Sequence, residues 1–147
     1  MTTSILRPTS TFLTLLAAGA LALTGCARRE NTEAPFSAVS LAAASAQAQS
    51  EGKLVFVDVW AAWCGPCKLL DSTTWKDRGV IELLSARTIA IKINADQDSA
   101  FVEKYKVEAL PTLLVLKPDG SEVTRVVGYV DATGFQARLR ATLAVDP

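Results

Sequence analysis

Cys64 and Cys67, separated by two residues within "VDVWAAWCGPCKLL" (residues 57–70), are the side chains of this sequence best suited to chemistry. Several chemistries use such a pair. A zinc site takes about four ligands, and this chain has no histidine and no second C-x-x-C, so metal would require two chains sharing an ion. Covalent haem needs a histidine where Lys68 stands. A structural disulfide would close a loop too small to contribute much chain entropy. A redox couple gains from position. At the first turn of a helix, unpaired backbone N–H groups and the positive end of the helix dipole would stabilise a Cys64 thiolate, lowering its pKa from about 8.5 towards neutrality. Cys67, one turn further in, is expected to be the more buried thiol and to resolve a mixed disulfide by attacking its neighbour. Pro66 suits an early helix position, where its missing N–H costs little.

The elements that must hold this pair can be read around it. "LVFVDVW" is a short, nearly unbroken apolar run, the pattern of a strand buried on both faces and central in a sheet. Before it, the alanine-rich residues 37–51 predict a helix that Gly52 stops. After it, residues 65–86 read as helical, with a kink or break near "STTWKDRG" and Gly79. "TIAIKINAD" predicts a second strand and residues 99–106 a helix. "PTLLVLKPDGSEVTRVVGYV" predicts two strands joined by a Pro-Asp-Gly turn, and a last helix runs from an Asp131 N-cap to about residue 143. A parallel pair extended by an antiparallel hairpin, with helices on both faces, is an α/β sandwich, an order that fits several folds.

Composition narrows the setting. The 147 residues, half of them apolar, suffice for one domain and an appendage. Fifteen basic and fifteen acidic residues are scattered along the chain, which leaves no electrostatic footprint for nucleic acid. Residues 1–25 differ from the rest: Arg7 is their only charge, and "TFLTLLAAGALALTG" has the length of a signal-peptide core rather than a membrane span. The run ends in "LTGC", which resembles the lipobox of bacterial lipoproteins. That resemblance implies cleavage after Gly25 and lipidation of Cys26, and a secretory signal with a chance cysteine is the alternative. The expected organisation is a signal peptide over 1–25, a polar tether over 26–35 and a domain over 36–147. Several acyl chains suffice to tether a soluble domain to a membrane, and an exported chain meets conditions in which disulfides persist.

"VDVWAAWCGPCK" resembles the active-site segment of thioredoxin, and residues 36–143 are similar to the thioredoxin-like family that includes the C-terminal domain of the membrane disulfide reductase DsbD. The resemblance implies a three-layer α/β/α sandwich with a mixed central sheet. It also implies a thiol-disulfide oxidoreductase that needs no metal or organic cofactor. Gly65 and Pro66, the dipeptide between the cysteines, accompany reducing couples in that family, and they differ from the dipeptide of the DsbD domain.

Other family positions carry over singly. Asp58 takes the place of a buried aspartate able to accept the Cys67 proton, and Lys92 that of the lysine approaching it. A strand-end carboxylate and a solvated lysine are the alternatives. Pro111 falls where the family has its cis-proline; Leu110 beside it, Trp63 and Gly128 would complete the substrate groove, although Pro111 could simply open a strand. Trp60 is expected in the core and Trp63 at the rim. The family's first strand is not visible near Phe36. The resemblance implies disulfide-bearing protein substrates, a membrane-borne or exported electron donor and a monomeric protein facing the periplasm, or the cell exterior where there is one membrane. A carrier dedicated to cytochrome c maturation and a non-enzymatic binding module of the same fold stand beside it.

Overall fold

A computed structural model of the chain describes residues 35–145, together with Met1. The stretch expected to be a signal peptide, apart from Met1, most of the expected tether and Cys26 lie outside the described residues. The elements run β1 (Phe36–Ser37), α1 (Leu41–Glu51), β2 (Leu54–Trp60), α2 (Gly65–Ser72), a 3₁₀ turn (Thr74–Lys76), α3 (Arg78–Arg87), β3 (Thr88–Asn94), α4 (Ser99–Lys104), β4 (Thr112–Leu116), β5 (Glu122–Val127) and α5 (Ala132–Val145).

One sheet of five strands takes the order β1-β3-β2-β4-β5. β1, β3 and β2 are mutually parallel, whereas β4 and β5 run antiparallel to their neighbours. β2 is central, as its unbroken apolar run requires: six of its seven residues are buried. Its alternation divides the core. Leu54 and Phe56 face Leu70, Trp75, Leu84 and Phe135, a layer supplied by α2, the 3₁₀ turn, α3 and α5. Val55, Val57 and Val59 face Ala44 and Ala48 from α1, Phe101 from α4 and Tyr105, which caps α4. Burying a side chain such as Phe56, 1% exposed, is worth roughly 1.5–3 kcal/mol. Among the described residues no helix is long and apolar enough to cross a membrane.

Two local expectations are corrected and a third is located. The helix expected over 37–51 starts at Leu41, because Ser37 pairs with Ile91 in β1 and Ser40 caps the helix by accepting from the Ala43 amide at 3.2 Å. The family's first strand is therefore present, two residues long. The break expected near "STTWKDRG" and Gly79 falls within that stretch, at residues 73–77. There Thr73 turns its amide and hydroxyl back onto the end of α2, and Asp77 caps α3 through the Val80 amide. Gly79 lies inside α3, and a Cβ on it would stand 2.8 Å from the Gln136 amide of α5, so the residue permits close helix packing. The helix expected to reach residue 106 stops at Lys104, two residues before Lys106 takes a left-handed φ of 50°. The hairpin turn forms as read, with Gly120 at φ 85°.

Candidate active site

The chain leaves β2 at its carboxyl end and enters α2 within a few residues, so Cys64 becomes the N-cap of that helix. Its Sγ accepts from the Cys67 amide at 3.2 Å, and Pro66 occupies the first turn, where no amide is needed. The two sulfurs form a disulfide, with Cα atoms 5.3 Å apart. Reduction would leave a Cys64 thiolate with a backbone donor already aimed at it, which is how a helix start favours the charged form. Cys67 is only marginally the more buried residue, 2% exposed against 3% for Cys64, because Ala61, Trp60 and Leu110 pack over the pair as a unit.

Leu110 and Pro111 lie outside the β2–β4 ladder, which ends with Val59 opposite Thr112. The Leu110–Pro111 bond is cis. The Pro111 carbonyl accepts from the Gly128 amide at 2.8 Å, so Gly128, at φ 87°, ties the end of β5 to this loop. Tyr129 follows, its hydroxyl 3.4 Å from Thr73 Oγ1 behind α2. Trp63 is 70% exposed, and its indole N–H is shared between the two oxygens of Asp96. Leu69 of α2, Val127 at the end of β5 and Tyr129 are also exposed. Trp60, expected in the core, is only half-buried. Gly65 is exposed, with open space beside it.

Asp58 and Lys92 form a second cluster. They are register partners on β2 and β3. Asp58 is 1% exposed, and its Oδ2 accepts both from Lys92 Nζ at 3.2 Å and from Trp75 Nε1 at 3.0 Å. Among the described residues no donor reaches Oδ1. Burial pushes the Asp58 pKa up, against the opposing charge and hydrogen bond of Lys92. Lys92 is thus a partner of Asp58 and no free surface lysine; it also pairs with Asp71 on α2 and lies over the rings of Phe36 and Trp60, at 5.2 and 5.6 Å. The clusters are linked twice: α2 carries Cys67 and then Asp71, and Trp60 lies between Lys92 and the cysteines.

Trp75 and Asp71 join this cluster without being singled out by their sequence context. Trp75 sits in a stretch noted only for interrupting a helix. The available signal is that a buried tryptophan needs a partner for its N–H, and a buried aspartate is the complementary group. Among the described residues no cluster of three or more histidine, cysteine, aspartate or glutamate side chains could hold a metal. A cavity of about 260 Å³ between the hairpin and α5, lined by residues such as Leu113, Val126 and Leu139, includes none of the residues named above as candidates.

Comparison with known proteins accords with this geometry. The thioredoxin-like domain family model matches residues 41–143. A thioredoxin of Chlamydia caviae is 43% identical over 81 residues, covering 53% of this chain and 72% of that protein. The thiol:disulfide interchange protein DsbD of Tatumella citrea is 33% identical over 128 residues, which cover 82% of this chain but only 22% of that protein. Among solved structures, the oxidised C-terminal domain of Neisseria meningitidis DsbD superposes with a TM-score of 0.60 at 25% identity, covering 69% of this chain and 90% of that one. The five-stranded mixed sheet, the C-x-x-C pair at a helix start and these relatives agree: the chain belongs to the thioredoxin-like family of thiol-disulfide oxidoreductases, with Cys64 and Cys67 as its redox pair.

Proposed function

We propose that this protein reduces disulfides of protein substrates outside the cytoplasm, tethered to a membrane by lipid on Cys26. The observation that carries the catalytic part is the Cys67 amide aimed at Cys64 Sγ at the start of α2. The Cys64 thiolate attacks a substrate disulfide, forms a mixed disulfide and releases one substrate thiolate, which takes a proton from solvent. Cys67 gives its proton to Asp58, directly or through water. The Cys67 thiolate then attacks Cys64 Sγ, the mixed disulfide breaks, and the second substrate sulfur leaves and is protonated. The substrate gains two electrons and the Cys64–Cys67 disulfide forms.

Lys92 holds the Asp58 carboxylate in place. Leu110 and Pro111, free of the β2–β4 ladder, offer an edge along which an extended substrate segment adds as a strand, with Trp63, Gly65, Pro66 and Gly128 around it. The Gly-Pro dipeptide supports the reducing direction, and "LTGC" supports export and lipidation over residues 1–26. A membrane-borne or exported donor then restores the dithiol.

Trapping tests the catalytic part. Cys67→Ser should accumulate mixed disulfides between Cys64 and exported proteins in intact cells, and Cys64→Ser should accumulate none. Equal yields from both variants would refute the assignment of roles. Cys26→Ala should move the protein from the membrane fraction to the soluble one, and unchanged fractionation would refute the anchor.

A further inference from the structure

We propose that Trp75 is a positioning residue of the exchange reaction: jointly with Lys92 its indole N–H engages Oδ2 of Asp58, leaving Oδ1 as the oxygen that takes the Cys67 proton. This rests on the reading of Asp58 as proton acceptor.

The observation is an asymmetry within one carboxylate. Asp58 is 1% exposed, so both oxygens are cut off from bulk water. Two donors reach it, Trp75 Nε1 at 3.0 Å and Lys92 Nζ at 3.2 Å, and both converge on Oδ2. Among the described residues Oδ1 has no donor. A buried charged acceptor with no donor is disfavoured relative to one that is hydrogen-bonded. Protonating Oδ1 removes charge from the oxygen that no donor stabilises, whereas protonating Oδ2 would set a third hydrogen against two existing donors. The bare oxygen is therefore the basic site.

Trp75 is also held too firmly to release Asp58 by rotating. It is 2% exposed and packs edge-on against Phe36, Phe56 and Phe135, with ring centroids 5.6, 5.7 and 5.1 Å away. The charged groups that face Asp58 are Lys92 from β3 and Asp71 from α2. The 3₁₀ turn contributes the neutral indole, β4 sets Leu113 opposite, and the core layer there is otherwise apolar. Lys92 is shared with half-exposed Asp71, whereas the Trp75 indole N–H is directed at Oδ2 of Asp58.

The test uses the reduced protein and Ellman's reagent. Attack by Cys64 releases a first thionitrobenzoate, and attack by Cys67 on the mixed disulfide releases a second, so the resolving step has its own optical phase. In Trp75→Phe, which keeps an aromatic ring and removes the N–H, the pH inflection of the second phase should move up by about one unit or more. That is the size expected when an ionised carboxylate loses one hydrogen bond. The first phase should keep its profile. Asp58→Asn should slow the second phase and abolish its inflection.

If Asp58→Asn leaves the second phase unchanged, the acceptor reading fails and the role of Trp75 falls with it. If Asp58→Asn slows the second phase while Trp75→Phe leaves the inflection in place, only the Trp75 proposal fails. Should Trp75→Phe not fold, the ¹⁵N–¹H indole resonance of Trp75 in the intact reduced protein decides. It should titrate with the same inflection as the second phase and lose it in Asp58→Asn; an indole shift flat across that range would overturn the proposal.

Discussion

Lys92→Met isolates the charge that compensates Asp58 while retaining much of the side chain's length and apolar stem. Removing one partner of a fully buried ion pair costs about 3–5 kcal/mol, because the other charge stays behind uncompensated. Here the cost is smaller: the Lys92 side chain is 24% exposed and Asp58 keeps the Trp75 hydrogen bond, so about 2–3 kcal/mol is expected at pH 8. The contact with Asp71, whose side chain is 47% exposed, adds at most a few tenths of a kcal/mol. With a urea m-value of about 2 kcal/mol/M, the midpoint should fall by roughly 1–1.5 M.

The sign with pH follows from burial, which raises the Asp58 pKa in the folded state. A raised carboxyl pKa stabilises the fold fully below the unfolded-state pKa, and that contribution is lost as pH rises through the folded value. Acid therefore removes the charge that Lys92 offsets, and the penalty of Lys92→Met should shrink as pH falls through the Asp58 transition. Urea melts of the oxidised protein at pH 8 and pH 5, with Asp58→Asn and the double variant, complete the cycle. Coupling below about 0.5 kcal/mol at pH 8, or a penalty independent of pH, would refute the reasoning.

Asp77→Ala removes both the α3 cap and the bond to Gln136 of α5, and should cost about 1 kcal/mol in urea melts. Phe135→Ala empties the centre of the aromatic layer, where its ring meets Phe56 and Trp75, and about 3–5 kcal/mol should be lost by the same measurement. Gly128→Ala places a Cβ at φ 87° beside the loop that ends in Pro111. Stability should drop by about 1–2 kcal/mol and protein-disulfide reduction should slow in steady-state assays, since the strain falls on the edge assigned to substrate.

The elements legible in the sequence are those whose signal is local. β2 follows from an unbroken apolar run, the hairpin from its Pro-Asp-Gly turn and α5 from Asp131, whose Oδ1 accepts from the Gly134 amide. β1 is illegible because two residues carry no periodicity, and it exists only through pairing with Ala90 and Ile91. The cysteine pair is visible as a motif, and the buried aspartate through the resemblance of the flanking segment to the family. Trp75 and Asp71 are not, because their partners lie 17 and 21 residues away in sequence and meet them only after α2 and the 3₁₀ turn pack on the sheet. The equal burial of the two cysteines likewise depends on Leu110, 43 residues after Cys67 and brought over the pair by the loop before β4.

The central claim is that Cys64 and Cys67 operate as a reducing couple. It is tested most directly by the redox state of the pair in living cells, fixed by acid quench and read by thiol alkylation of the full-length protein. The account predicts a pair held mostly as the dithiol, which accumulates as the disulfide when the supply of reducing electrons is cut off. A pair that is mostly disulfide in unperturbed cells would contradict it and mark the protein as an oxidant.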